Sequence, residues 1–312
     1  MPLLGLLSGC LPAVQQAQPL PAAFSGPRSG PRFEPDRFIS FDGTALGLSS
    51  WAPAEGEPWA VVIGLHGMND YGQTFAMAGP WWAERGIATY AYDQRGFGRS
   101  PQRGVWGGEK LLTADLAAAI DAARRKHPNA TIAVVGESMG AATALAAFGS
   151  EAPPRADRLV ILAPAVWGWS NLPLAYRATL WLGAHTAPRR PVTAPRRVVR
   201  RIQPSDNVAM LQALGRDRNM IFETRIDALY GLVRLMERAF QRIDRVPPQT
   251  LMLTGAKDQI IPRRSLERAA ERLPAGVRRV EYQEGYHMLL RDLQAEVVWE
   301  DILTFLREPA AV

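Results

Sequence analysis

The sequence predicts an α/β protein: a mainly parallel central sheet flanked by helices, with a helical cap inserted after its sixth strand. Three observations carry this prediction. From about Phe38, short β-branched runs alternate with amphipathic helical patterns. Between Ala165 and Arg245 the alternation stops, and the chain becomes helix-like, arginine-rich and interrupted by prolines. From "TLMLTG" onward the strand–helix rhythm resumes, so the interruption reads as an insertion over one end of a single sheet. The expected division is a leading segment over 1–36, a core over 37–164 and 246–312, and a cap over 165–245.

The elements follow in order. "FISF" and "LGLSSWAP" flank Asp42-Gly43 and read as a hairpin. "WAVVIGL" is a run fit for a strand buried on both faces. "QTFAMAGPWWAERG" reads as a helix stopped by Gly86. "IATYAY" is the next strand. "LLTADLAAAIDAARRKHP" is a long amphipathic helix whose last turn carries Arg124, Arg125 and Lys126, where cations complement the helix dipole. "TIAVV", "MGAATALAAFG" and "RLVILAP" read as strand, helix and strand. After the insertion, "TLMLTG", "RSLERAAERLP", "VRRVEYQ" and "EVVWEDILTFLRE" repeat the pattern. No internal repeat is present.

Bulk composition narrows the function classes. At 312 residues and 47% apolar content, the chain can bury a substantial core without disulfides or metal. The single cysteine, Cys10, allows no intrachain disulfide and no cysteine cluster for zinc, and His66, His127, His185 and His287 lack metal-ligand spacing. No run of some 18 apolar residues occurs, so no transmembrane helix is expected.

The stretch "VVGESMGAA" is a G-x-S-x-G pattern set between a strand and a helix. A serine hydroxyl is a weak nucleophile until a base removes its proton, and a tight turn presents it only if small residues surround it. Gly136 and Gly140 meet that demand around Ser138. The base is expected late in the chain, and "EGYHMLLRD" puts His287 after a strand. His127, at a helix end beside Pro128, reads as solvated, His185 falls in the insertion, and His66 belongs to a separate H-G motif. For the acid that orients the imidazole, "TLMLTGAKDQIIP" puts Asp258 just beyond a strand end. Asp292 reads as the N-cap of the last helix, and Asp244 closes the insertion. The order Ser138, Asp258, His287 is that of the α/β-hydrolase fold, unlike trypsin-like or subtilisin-like enzymes. "VVIGLHGMND" supplies the remaining part: the backbone N–H groups of Met68 and Met139 are expected to form an oxyanion hole.

Together, "LHGMNDYGQTFAMAGPWWAERGIATYAYDQRGFGRSPQRG", "VVGESMGAATAL", "LTGAKDQIIP" and "GYHMLL" resemble the monoacylglycerol lipase and lysophospholipase branch of the α/β-hydrolases, which includes sequences described as serine aminopeptidases. The resemblance spans about residues 38 to 307, with a looser match in the cap. It implies ester hydrolysis through an acyl-enzyme, without a cofactor. Asp93 to Ser100 looks like the family's D-x-R-G-x-G-x-S loop, which is structural. Glu137 stands where the family more often has histidine, and Ala141 where glycine is usual.

The insertion opens with "AVWGWSNLPLAYRATLWLG", rich in aromatics and leucine, and continues into "APRRPVTAPRRVVRR". Ala165 to Arg245 carries 14 arginines against 6 acids, while the whole chain is only +6. The basicity therefore belongs to the cap. Apolar aromatics beside an arginine face suit a lid resting on an anionic membrane, with a single-chain lipid ester as substrate. A cap this basic suits a substrate ammonium poorly, which ranks aminopeptidase activity second. A non-catalytic lipid-binding protein is a third reading. No nucleic-acid recognition motif accompanies the arginines. Leu7-Ser8-Gly9-Cys10 looks like a bacterial lipobox followed by a Pro/Ala/Gln-rich flexible tether, which predicts a lipoprotein anchored through Cys10; the alternative is a cytoplasmic enzyme.

Overall fold

A computed structural model of the chain describes residues 11–19, 30–193, 197 and 201–309. Two short strands, β1 (Arg32–Phe33) and β2 (Arg37–Ile39), form a hairpin, and β2 pairs in turn with β3 (Ala45–Trp51). All these pairings are antiparallel. After them come β4 (Ala60–Leu65), helix α1 (Ala78–Ala83), β5 (Ile87–Tyr92), α2 (Glu109–Lys126), β6 (Thr131–Glu137), α3 (Met139–Phe148) and β7 (Arg158–Leu162). The insertion contributes α4 (Leu174–Thr186), β8 (Pro191–Val192), α5 (Val208–Leu214), β9 (Thr224–Arg225) and α6 (Ile226–Arg242). The chain closes with β10 (Thr250–Gly255), α7 (Arg263–Glu271), β11 (Arg278–Tyr282) and α8 (Ala295–Arg307).

The sheet has nine strands in the order β1-β2-β3-β5-β4-β6-β7-β10-β11 and is parallel from β5 to β11. All six residues of β4 are buried, and they alternate between the two faces. Val61, Ile63 and Leu65 join one core with Leu116, Ile120 and Leu145 of α2 and α3. Ala60 and Val62 face the other core, with Trp82 of α1 and Trp299 and Ile302 of α8. That two-sided burial explains why the run is continuously apolar instead of alternating.

The insertion leaves the sheet after β7. That is the seventh strand rather than the sixth, because Arg32–Phe33, within the expected leading segment, adds a two-residue edge strand. The insertion is mainly helical as expected, but Pro191–Val192 and Thr224–Arg225 pair as a small antiparallel ribbon. Its helix α6 lies along α3, and α4 packs on α6. Gly86, at φ 79°, closes the α1 region, although the helix there is only six residues long and a 3₁₀ turn (Gly72–Phe75) precedes it.

The leading segment departs from the sequence reading over 11–19. Composition predicts a flexible tether, yet these residues lie against the body. The Ala13 N–H donates to Asp227 of α6, the Gln15 N–H to the Trp106 carbonyl, and the Gln18 N–H to Asp42. Backbone donors satisfied by fixed partners give an unremarkable composition a defined position. Cys10, the cysteine of the expected lipobox, lies outside the described residues, as do Arg196 and Arg200 of the cap's arginine run.

Candidate active site

Ser138 stands at the end of β6, where the chain turns into α3, and has φ 54° and ψ −112°. A non-glycine residue held there stores about 1–3 kcal/mol of strain, which the surroundings must maintain. They do so through close packing and backbone bonds. A β-carbon on Gly140 would come within 2.1 Å of the Leu65 carbonyl oxygen, and one on Gly136 within 2.7 Å of the Gly140 backbone. The Ser138 N–H donates to the Leu162 carbonyl, and the Ser138 carbonyl accepts from Ala142 and Ala165. The serine is 9% exposed.

Asp258 follows β10, and its carboxylate is fully engaged. Oδ1 accepts the N–H groups of Ile260 and Ile261 at 2.7 and 3.0 Å, and Oδ2 lies 2.8 Å from His287 Nδ1. An ionised carboxylate only accepts, so Nδ1 carries the proton and Nε2 is left with its lone pair. His287 sits in the loop between β11 and α8 and is 5% exposed. The sequence-predicted acid and base are thus hydrogen-bonded to each other. The loop after β4 brings Gly67 against the serine, with the position of its missing β-carbon 3.5 Å from Ser138 Cβ. Met68 follows it in that loop, and Met139 begins α3 directly after the serine.

The remaining histidines have other roles. His66 is buried; its Nε2 accepts from the Gln94 N–H and its Nδ1 lies 2.8 Å from the Gly67 carbonyl, so it braces the turn leading to Met68. Burial pushes its pKa down and favours the neutral ring that this pair of bonds requires. His127 is not solvated as its helix-end position suggests: it is 8% exposed, with Nε2 3.0 Å from the Tyr90 hydroxyl. His185 stacks on Trp181. Asp292 is not the N-cap of α8, a position held by Gln294. Its carboxylate instead takes the Ser205 hydroxyl and the Tyr286 N–H. Asp244 pairs with Arg272.

Spacing gave no sign of a buried ionic cluster beside the serine. Arg291 Nη2 lies 2.7 Å from Asp70 Oδ2 and 3.0 Å from Glu137 Oε1, with all three side chains nearly inaccessible. Burial pushes the Glu137 carboxyl up, against the pull of Arg291 and of the nearby His287. The cluster joins the loop after β4, the serine turn and the loop that carries His287. In the sequence its only trace is the unusual Glu137 before the serine.

The Asp93–Ser100 loop is structural, as expected. Asp93 accepts from the Gly72 and Arg99 N–H groups and from the Arg99 guanidinium. Arg95 is buried among Asp42, Asp115 and Thr44. Among the described residues no cluster of His, Cys, Asp or Glu could hold a metal ion. No helix among them is long and apolar enough to cross a membrane.

Residues 56–294 match the family model described as serine aminopeptidase, S33. A monoacylglycerol lipase of Mycolicibacterium smegmatis (strain ATCC 700084 / mc(2)155) is 22% identical over 290 residues, which cover 86% of this chain and 95% of that protein. Among solved structures, the fold is shared with a monoacylglycerol lipase of Paleococcus ferrophilus (TM-score 0.65, 19% identity, 84% of this chain and 98% of that one). It is also shared with a soluble variant of monoglyceride lipase from Saccharomyces cerevisiae in complex with a substrate analog (TM-score 0.74, 16% identity, 94% of this chain and all of that one).

Proposed function

Because the chain belongs to the serine aminopeptidase S33 family of α/β-hydrolases, and is a hydrolase of the monoacylglycerol-lipase-like branch, we propose that it cleaves single-chain lipid esters through an acyl-enzyme on Ser138. The observation that carries the reading is the Asp258–His287 hydrogen bond, taken together with a strained serine turn faced by Gly67. Ser138 Oγ attacks the ester carbonyl while His287 Nε2 takes its proton. Asp258 holds the ring in the tautomer that exposes Nε2 and stabilises the imidazolium that forms. The developing oxyanion is met by the N–H groups of Met68 and Met139, each donor being worth about 3 kcal/mol. His287 returns the proton to the departing alcohol, glycerol from a monoacylglycerol or a glycerophosphodiester from a lysophospholipid, and water then repeats the sequence on the acyl-enzyme.

Substrate class follows from the cap. Helix α4 is exposed along its length at Leu174 (76%), Tyr176, Trp181 (50%) and Leu182, and exposed Arg189 and Arg190 follow it. Aromatic and aliphatic side chains next to cations suit the headgroup region of an anionic membrane. We extend the proposal to contact with such a surface, and to a lipoprotein anchored through Cys10.

Aminopeptidase activity is the second reading, in view of the family description. It requires a carboxylate to hold the substrate ammonium, and the cap acids have other partners. Glu237 accepts from Ser170, Asp217 from Tyr71, Asp227 from Arg225 and Ala13, Asp206 from Leu293, and Asp244 from Arg272. Glu223 is exposed.

The deciding experiment compares wild type with Ser138→Ala on p-nitrophenyl acyl esters, glyceryl esters and aminoacyl-naphthylamides. Ester turnover that vanishes in the variant is expected. Equal rates in the two proteins end the proposal, and turnover of the amides alone transfers it to the second reading. Failure of a fluorophosphonate probe to label Ser138 would favour a non-catalytic lipid-binding role. Co-sedimentation with phosphatidylglycerol vesicles tests the membrane contact, and mass spectrometry of the mature N-terminus tests the anchor.

A further inference from the structure

Catalytic loops at the end of an α/β sheet lie outside regular secondary structure, so their backbone groups need partners from elsewhere. Here one stretch of the cap supplies them. The Pro204 carbonyl accepts the N–H groups of both His287 and Met288, at 3.1 and 3.0 Å. The Ser205 hydroxyl donates to Asp292 Oδ1 at 2.6 Å, and the other oxygen of that carboxylate accepts the Tyr286 N–H. Asn207 Nδ2 donates to the Arg291 carbonyl, Asp206 accepts the Leu293 N–H, and the Gln203 N–H donates to the side chain of Gln259, next to Asp258. Ser205 is wholly buried.

The same stretch continues through α5 to a second set of bonds on the oxyanion loop. The Ile221 N–H donates to the Asn69 carbonyl, Asn69 Nδ2 donates to Thr224 Oγ1, and the Tyr71 hydroxyl donates to Asp217. Residues 203–224 therefore span the three loops that carry His287, Asp258 and Met68.

We propose that residues 203–224 of the cap are a brace for the catalytic loops, with Ser205 a positioning residue that sets His287 against Asp258 and Ser138. The cap then has two parts of different character: a brace bonded to the core loops, and the exposed helix α4, which faces solvent. The inference rests on the serine hydrolase reading, because it concerns the placement of that reading's base. Loss of the Ser205 hydroxyl frees the Tyr286–Met288 turn to shift. A displacement of this kind lowers the rate of the chemical step instead of the affinity for substrate.

The test compares wild type, Ser205→Ala and Ser205→Thr on p-nitrophenyl acetate, which is too small to exploit the cap as a lid, and on a long-chain p-nitrophenyl ester. Fluorophosphonate labelling is followed to completion to count folded sites. For Ser205→Ala, kcat is expected to fall about tenfold on both esters, with KM within about twofold and labelling slow but complete. Ser205→Thr, which keeps the hydroxyl, is expected to recover most of the rate. An unchanged kcat on the acetate, or a defect confined to KM for the long-chain ester, overturns the brace. Should Ser205→Ala fail to fold, Asn207→Ala carries the same test through the Arg291 carbonyl, and an unchanged kcat there also overturns it. A wild type that neither turns over esters nor takes the probe refutes the hydrolase reading itself, and the brace with it; a Ser205→Ala variant equal to an active wild type refutes the brace alone.

Discussion

Gly67 faces Ser138 so closely that a β-carbon at Gly67 would stand 4.0 Å from the serine Oγ. That separation is ordinary van der Waals contact, so Gly67→Ala is expected to fold normally. The methyl group would occupy ground that the attacked carbonyl needs. Ester turnover should fall by one to two orders of magnitude, or roughly 1.4–3 kcal/mol, with Tm unchanged within error. Gly140→Ala should do the reverse, because its methyl group would meet the Leu65 carbonyl at 2.1 Å. Loss of soluble folded protein is the expected result there. Thermal melts beside p-nitrophenyl ester rates separate the two variants.

Asp258→Asn preserves the shape of the acid but lets an amide N–H face His287 Nδ1, which favours the tautomer with its proton on Nε2. Turnover should then drop by roughly 10³–10⁴-fold with little change in KM. A loss below about tenfold would show that Asp258 is not the orienting acid.

Arg291 holds two carboxylates, Asp70 and Glu137, in a site closed to water. Arg291→Met leaves both without their cation and should cost about 3–5 kcal/mol of stability. Burial already holds the Glu137 carboxyl above its ordinary pKa. For an acid so shifted, stability is greatest below its unfolded pKa and is lost as pH rises through the folded one. The deficit of Arg291→Met should therefore be widest near about pH 8 and narrow toward about pH 5. Glu137→Gln added to Arg291→Met should recover part of it. Urea unfolding at the two pH values checks both statements.

Asp42 behaves in the opposite sense. Burial opposes its ionisation, but hydrogen bonds from Arg95, the Gln18 N–H and Thr44 prevail and hold it at about 2. Its folded pKa lies below the unfolded value, so its contribution is present above about pH 4 and is lost as pH falls through about 2. The amount is on the order of 1–2 kcal/mol. Asp42→Asn should be less stable than wild type at neutral pH, with the gap closing in acid. Deleting residues 1–19 removes the Gln18 donor and should move the acid unfolding midpoint of the otherwise intact protein upward.

Local patterns made much of the molecule readable. The run at β4, the glycines around Ser138, and an acid and a histidine each just beyond a strand are short-range features, and the order of the three residues along the chain selected the fold. What escaped depended on distant partners. Arg291 and Glu137 lie 154 positions apart, and neither sits in a motif that anticipates a buried ion pair. Asp292 has the spacing of a helix cap, but Ser205, 87 positions away, occupies its carboxylate. His127 has the sequence surroundings of a surface residue, but the Tyr90 hydroxyl of β5 lies 3.0 Å from its ring. Residues 11–19 have the composition of a linker because their anchoring runs mainly through backbone groups, which composition does not record.

The pairing of Glu137 with Arg291 also bears on how such a site changes over evolutionary time. Removing Arg291 alone leaves the carboxylates of Asp70 and Glu137 buried together without a cation, whereas a neutral residue at 137 leaves Arg291 paired with Asp70. The dependence should therefore run one way: homologues that lack the arginine four places after the histidine should have neutral residues at positions 70 and 137. An alignment of relatives sorted by position 291 would reveal that covariation without any protein being purified.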